Sequence, residues 1–139
     1  MLADLLLPDP SRFLLAAIGP AAGNIVVEVC SLSAQAHCPR CGQVSQQVRG
    51  RYVRQLRDLP WADRAVRIRL SVRKFSCRQP DCPQRIFTER LPEFVRPSAR
   101  ATVRMETSMR QLAVTAGGEG GAPMRATNRR PGSPGARRP

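Results

Sequence analysis

Cys38-Pro39-Arg40-Cys41-Gly42 and Cys77-Arg78-Gln79-Pro80-Asp81-Cys82-Pro83 are the stretches that decide how this chain folds. Two residues separate the first pair of cysteines, four separate the second, and 35 lie between Cys41 and Cys77. Such short spacings let a tight turn aim two thiolates at one tetrahedral zinc ion. Four sulfurs close the site, so the spacing predicts a structural Zn2+ held by Cys38, Cys41, Cys77 and Cys82, with no open position for catalysis. The gap exceeds the roughly 15 to 20 residues of the commonest paired-cysteine signature, and the second pair is wider. A longer hairpin between the knuckles accommodates both departures. The competing reading takes the cysteines as small buried apolar residues, and it leaves the pairing and the neighbouring Pro and Gly unexplained. Gly42 suits a turn that needs positive φ. His37, the single histidine, abuts Cys38 and is the alternative fourth ligand.

Between the knuckles, Val66, Ile68, Leu70 and Val72 alternate with Arg67, Arg69, Ser71 and Arg73. Period-2 alternation is the mark of a half-buried strand, here Ala65 to Phe75, with one apolar face and one arginine face. Val48 to Leu56 reads as a weaker strand carrying Tyr52, and 58–64 (DLPWADR) joins the two, with Pro60 and Asp63 as turn residues. Trp61 is expected to pack on the sheet or beside a knuckle, the alternative being to stack on a base. The arginine face is either a solvated strand face or a nucleic-acid contact, the latter formed by Arg51, Arg54, Arg67, Arg69, Arg73 and Lys74.

Upstream, residues 1–23 are expected to hold short helical turns, with Ser11 capping the second apolar run and a turn-rich break from Gly19 to Asn24. Ile25 to Cys30 is β-branched and predicts a strand. Cys30 is read as a buried thiol there, outside the zinc set. Ile86 and Phe87 predict a short extended segment that closes a zinc-ribbon-like domain spanning 24–95. Ser98 is the expected cap of a helix over 96–116, with Met105, Met109, Leu112 and Ala116 on one packing face. Residues 117–139 are Arg, Pro, Gly and Ser without apolar pattern and predict a disordered tail. The fold class is therefore a small zinc-stabilised β-rich (α+β) domain, a hairpin sheet with a C-terminal helix.

The net charge of +13 is uneven: residues 1–37 carry −2, residues 38–100 carry +10 and residues 101–139 carry +5. An excess over the zinc segment and tail points to a polyanionic partner. Every basic residue except Lys74 is arginine, which suits phosphate and guanine recognition and equally reflects coding composition. The longest uncharged run, Phe13 to Val27, is broken by Gly19, Pro20 and Gly23 and is shorter than the roughly 18 residues of a membrane helix. No membrane partner is expected. Five cysteines without a secretion signal argue for reduced thiolates in a cytoplasm.

The cysteine knuckles, together with Arg51-Tyr52-Val53-Arg54, Asp58-Leu59-Pro60-Trp61, Val72-Arg73-Lys74-Phe75-Ser76-Cys77, Asp81-Cys82-Pro83 and Ile86-Phe87-Thr88-Glu89-Arg90-Leu91, resemble the N-terminal zinc-finger module of bacterial ISL-three-type insertion-sequence transposases. The resemblance covers roughly residues 25 to 95. It implies the same four cysteines as zinc ligands and DNA, at the element's ends, as partner, in a bacterial cytoplasm at the nucleoid. In that family a helix-turn-helix segment and a nuclease domain with an Asp/Asp/Glu site follow the module. The Arg/Pro/Gly tail departs from this pattern and resembles out-of-frame translation, so the expectation is a truncated, non-catalytic DNA-binding fragment. The alternative is a protein-interaction zinc ribbon that docks on a full-length transposase or another partner. An enzyme is disfavoured, because a single histidine and scattered carboxylates supply no acid, base or nucleophile.

Overall fold

A computed structural model describes residues 2–117. At its centre is β6 (Arg64–Ser76), where the apolar and arginine residues alternate as expected: Val66, Ile68, Leu70 and Val72 are buried, while Arg67 and Arg69 are exposed. β6 pairs antiparallel with β5 (Val48–Trp61) along nearly its whole length. Its other edge carries β2 (Asn24–Ser31) in parallel and, further along, β7 (Ile86–Thr88) antiparallel. β1 (Phe13–Ala21) adds outside β2, giving the order β1-β2-β6-β5. A separate two-stranded ribbon, β3 (Ala36–His37) with β4 (Val44–Ser45), brackets the first knuckle.

The β1–β2 hairpin corrects the expected helical segment over 1–23. Only α1 (Leu2–Leu6) is helical there. Ser11 caps nothing, since its N–H and hydroxyl both bond the Asp9 carboxylate in a local turn. The strand runs on through Gly19 and Pro20, and the chain reverses at Ala22 and Gly23, with φ of 51° and 80°. Positive φ at both loop residues is what a two-residue hairpin requires. β5 likewise extends beyond Leu56 to Trp61, so the turn shrinks to Ala62 and Asp63. Trp61 packs half-buried against the core, as one of its two expected placements.

One face of the sheet is covered by α1 through Leu6 and Leu7 and by the stretch Leu91, Phe94 and Val95, all in one apolar cluster with Val27, Val29, Leu56 and the β6 residues. Phe13 and Phe94 meet with ring centroids 5.1 Å apart. A single helical turn shapes that cover, the N–H groups of Phe94 and Val95 both bonding the Leu91 carbonyl. α2 (Val103–Gly117) begins later than the expected 96–116 helix. Its cap is Thr102, whose Oγ1 accepts the Met105 N–H at 3.3 Å, whereas Ser98 sits at φ 62° in the preceding loop. Met109 and Leu112 stand exposed, so the expected packing face has no cover among the described residues. The expected tail falls on 118–139, outside the described residues, Gly117 being the end of α2.

Asp58 fastens α2 to the sheet. Its side chain is fully buried, accepts the Thr102 hydroxyl at 2.6 Å and forms a two-pronged ion pair with Arg104. Burial pushes the Asp58 carboxyl up, but Arg104, Thr102 and the Leu59 N–H outweigh it and hold it below the ordinary carboxylate value. A depressed carboxylate stabilises the fold above its unfolded value, about pH 4, and that contribution fades as pH falls through the folded value. Asp58→Ala should cost about 2 kcal/mol at pH 7, discounted from the buried-pair range because Arg104 is partly exposed. Urea titrations at pH 7 and pH 2.5 check this: the gap between variant and parent should close at the lower pH.

Candidate metal centre and basic surfaces

Each knuckle is built by backbone bonds that close its own turn. In the first, Gly42 N–H bonds the Cys38 carbonyl and Cys38 N–H bonds the Gln43 carbonyl, both at 2.9 Å. Gly42 takes φ 75°, the positive value expected of it. In the second, Cys82 N–H bonds the Gln79 carbonyl and Cys77 N–H bonds the Arg85 carbonyl. Ser45 Oγ donates to the Ser76 carbonyl at 2.6 Å, tying the first ribbon to the residue just before Cys77. Phe75, fully buried, and Phe87 stack beneath the site with centroids 6.0 Å apart. The cysteines thus sit at the open end of the β5–β6 hairpin, opposite its turn.

The four sulfurs of Cys38, Cys41, Cys77 and Cys82 lie within 4.8 Å of one another, with Cys38 to Cys82 at 3.8 Å and Cys41 to Cys77 at 3.5 Å. Zn–S bonds of about 2.3 Å in a tetrahedron put sulfurs about 3.8 Å apart. Disulfide bonding needs about 2.05 Å, so the spacing matches four thiolates around one ion. His37 is exposed, with Nδ1 3.3 Å from the Gly42 carbonyl, and is not in the cluster. Cys30 is half-buried opposite Ser71, also outside it.

Residues 34–82 match the family model described as the zinc-finger of transposase IS204/IS1001/IS1096/IS1165. This segment is an ISL-three-type transposase zinc ribbon. No curated protein and no solved structure matches the chain. The zinc ribbon's donor chemistry, its knuckles and its sulfur spacing agree on structural Zn2+. Burial raises the Cys38 thiol, but the N–H groups of Cys41 and Arg40 and the adjoining sulfurs bring it down to about 7. The Gln79 N–H lowers Cys77, yet burial and the neighbouring sulfurs push it up to about 12. Metal-free, the ribbon therefore favours the thiolate at Cys38 and opposes it at Cys77 and Cys82.

The arginines of the zinc ribbon and its sheet divide between two surfaces. Arg67, Arg69 and Arg73 project from the face of β6 opposite the apolar core, and the register places Arg57 and Arg51 of β5 beside Arg67 and Arg73. Glu28 of β2 lies opposite Arg69 and pairs with it at 2.9 Å. Arg73 is partly engaged, donating to the Ser33 carbonyl at 2.8 Å. Arg54 and Lys74 do not join this face. Arg54 shares the register of Leu70 and donates to the carbonyls of Ala99 and Arg96 at 2.6 and 3.2 Å. Lys74 lies over the Tyr52 ring, 5.6 Å from its centroid. Reading the arginines as one ladder missed this split, which the parity of Arg54 and Leu56 in an extended strand already carried. No helix among the described residues is long and apolar enough to cross a membrane.

Metal analysis of the purified protein should give one zinc per chain, and any of Cys38, Cys41, Cys77 or Cys82→Ser should lose the ion and melt the ribbon. Cys30→Ser and His37→Ala should keep it. At about pH 8, zinc uptake by the metal-free protein should release protons from Cys77 and Cys82, measurable by calorimetry in buffers of different ionisation enthalpy.

Proposed function

We propose that this chain is a DNA-binding module of an insertion-sequence transposase, with one Zn2+ on Cys38, Cys41, Cys77 and Cys82 as its structural clamp and the outer arginine face of β5 and β6 as its duplex contact. The observation that carries this is the cross-strand clustering of Arg51, Arg57, Arg67, Arg69 and Arg73 on one sheet face, with Glu28 as the acid paired into it. Successive outward residues on a strand are about 6.7 Å apart and neighbouring strands about 4.8 Å apart. Guanidinium groups on such a grid neutralise phosphates without reading bases, so the contact positions the module and confers little sequence preference. The partner is DNA at the ends of the element, in a bacterial cytoplasm at the nucleoid.

The module is proposed to do no strand chemistry of its own. Four thiolates fill a zinc tetrahedron and leave no position for water or phosphate. Cleavage by the family's chemistry draws on carboxylates that hold divalent metal, whereas Asp58 and Glu28 here are spent on Arg104 and Arg69. A second reading, a ribbon that docks on a full-length transposase or another protein, is favoured by the exposed Met109, Leu112 and Val114 on α2.

Duplex binding should weaken with salt at a slope near −3.6 in log K against log concentration if about four phosphates are neutralised. Arg67→Glu with Arg69→Glu should weaken duplex affinity by at least about tenfold, and Glu28→Gln, which frees Arg69, should strengthen it. A flat salt response or an unaffected double variant supports protein docking instead. Supercoiled plasmid carrying element ends, incubated with the protein and magnesium, should remain unnicked. Nicking abolished by replacing one of the protein's carboxylates would reverse the non-catalytic reading.

A further inference from the structure

Two cavities meet along the β5 edge, the first on the core side of the sheet and the second reaching round to two arginines of the outer face. The first, of about 540 Å³, lies between β5, β7 and the 95–98 loop, with Lys74, Arg54 and Arg90 in its wall. The second, of about 640 Å³, continues past Arg54 to Arg57, Arg67 and Arg100. Tyr52, Arg54 and Ser98 line both, so they form one groove with Tyr52 at its middle. Six basic side chains face it against one acid, Glu89, and Glu89 Oε1 is already engaged by the Arg73 N–H at 2.7 Å. Tyr52 is 51% exposed, although it belongs to the apolar register of the sheet next to buried Val72.

We infer that this groove binds an unpaired nucleic-acid strand, with a base stacked on Tyr52 and the adjoining phosphates held by Lys74, Arg90 and Arg100. A basic channel floored by an exposed aromatic is the arrangement by which proteins hold single strands without sequence preference. Duplex bases are stacked on both faces already and offer nothing to such a ring, whereas an unpaired base does. The Lys74 ammonium lies over the electron-rich face of the ring, 5.6 Å from its centroid. A base taking its place leaves the ammonium to the neighbouring phosphate. Ser98, which lines both halves, holds φ 62°, and backbone kept in that region without glycine clusters at ligand clamps. The Tyr52 half of the groove lies apart from the outer arginine face, with which the other half shares Arg57 and Arg67, and it takes a different ligand.

Fluorescence anisotropy with a labelled oligothymidylate and, separately, a blunt duplex tests the assignment on zinc-loaded protein. Tyr52→Ala should weaken oligothymidylate binding about tenfold, within the stacking contribution of one base, and leave duplex affinity within about twofold. Tyr52→Phe, which keeps the ring, should bind the oligothymidylate like the parent. Arg69→Glu should weaken the duplex and spare the single strand. Ultraviolet crosslinking of an oligonucleotide carrying 5-iodouridine to the unaltered protein should label the peptide containing Tyr52, which keeps the test valid if Tyr52→Ala fails to fold. Equal losses for both ligands in Tyr52→Ala, crosslinks confined to β2 and the outer face, or polyglutamate competing as well as oligothymidylate would overturn it. Loss of duplex binding alone in Tyr52→Ala would overturn it as well.

Discussion

Backbone pairing along both edges of β6 is the constraint on which everything else depends. A strand hydrogen-bonded on two sides presents its residues by parity, and β6 does so from Val66 to Val72, before Phe75 and Ser76 are both buried near the knuckles. Its even positions there become a dry face and its odd ones, Arg67 and Arg69 among them, a charged face. Val66, Ile68, Leu70 and Val72 hold the cover formed by α1 and the Leu91 to Val95 turn. The same ladder delivers Ser76, and so Cys77, to the place where Ser45 and the first knuckle already stand.

What the sequence made legible follows from how local each signal is. The alternation in β6 and the two cysteine knuckles are readable within a few residues, and both appear as expected. β1 was not readable this way. Leu14, Leu15, Ala16 and Ala17 run without alternation because an edge strand with a bulge between Leu15 and Ala17 loses strict two-sided burial, and a run of leucine and alanine looks helical. The Leu91, Phe94 and Val95 cover is hard to read as a packed turn because Pro92 lies within it and Pro97 follows it at the expected edge of the 24–95 domain. Its spacing of three and four residues was the available sign of a helical turn packing on a core. Ser98 looked like a cap by residue type, but Thr102 holds that role because it is tied to Asp58, 44 residues away in the chain, a contact that local pattern cannot carry.

The basic residues show the limit of composition as a guide. Charge totals placed the excess on the zinc segment correctly, yet one strand parity step separates Arg54, bonded to the carbonyls of the 96–99 loop, from its neighbours Val53 and Gln55 on the other face. Arg54 is as much a fastening for that loop as a ligand group. Arg104 is similar, closing on Asp58 and reaching the Leu5 carbonyl at 3.2 Å. Positive charge in this chain therefore serves the fold at some positions and stays available to a partner at others.

The position of the sulfurs at the open end of a long hairpin also orders events in time. Reversal at Ala62 and Asp63 is local, and hairpins of this kind zip from the turn in microseconds. Each step outward shortens the free chain between the knuckles, lowering the entropy needed to bring Cys38 and Cys82 together. Zinc on Cys38, Cys41, Cys77 and Cys82 closes the end of the hairpin that its turn leaves open, as a latch holds a door at the side away from its hinge.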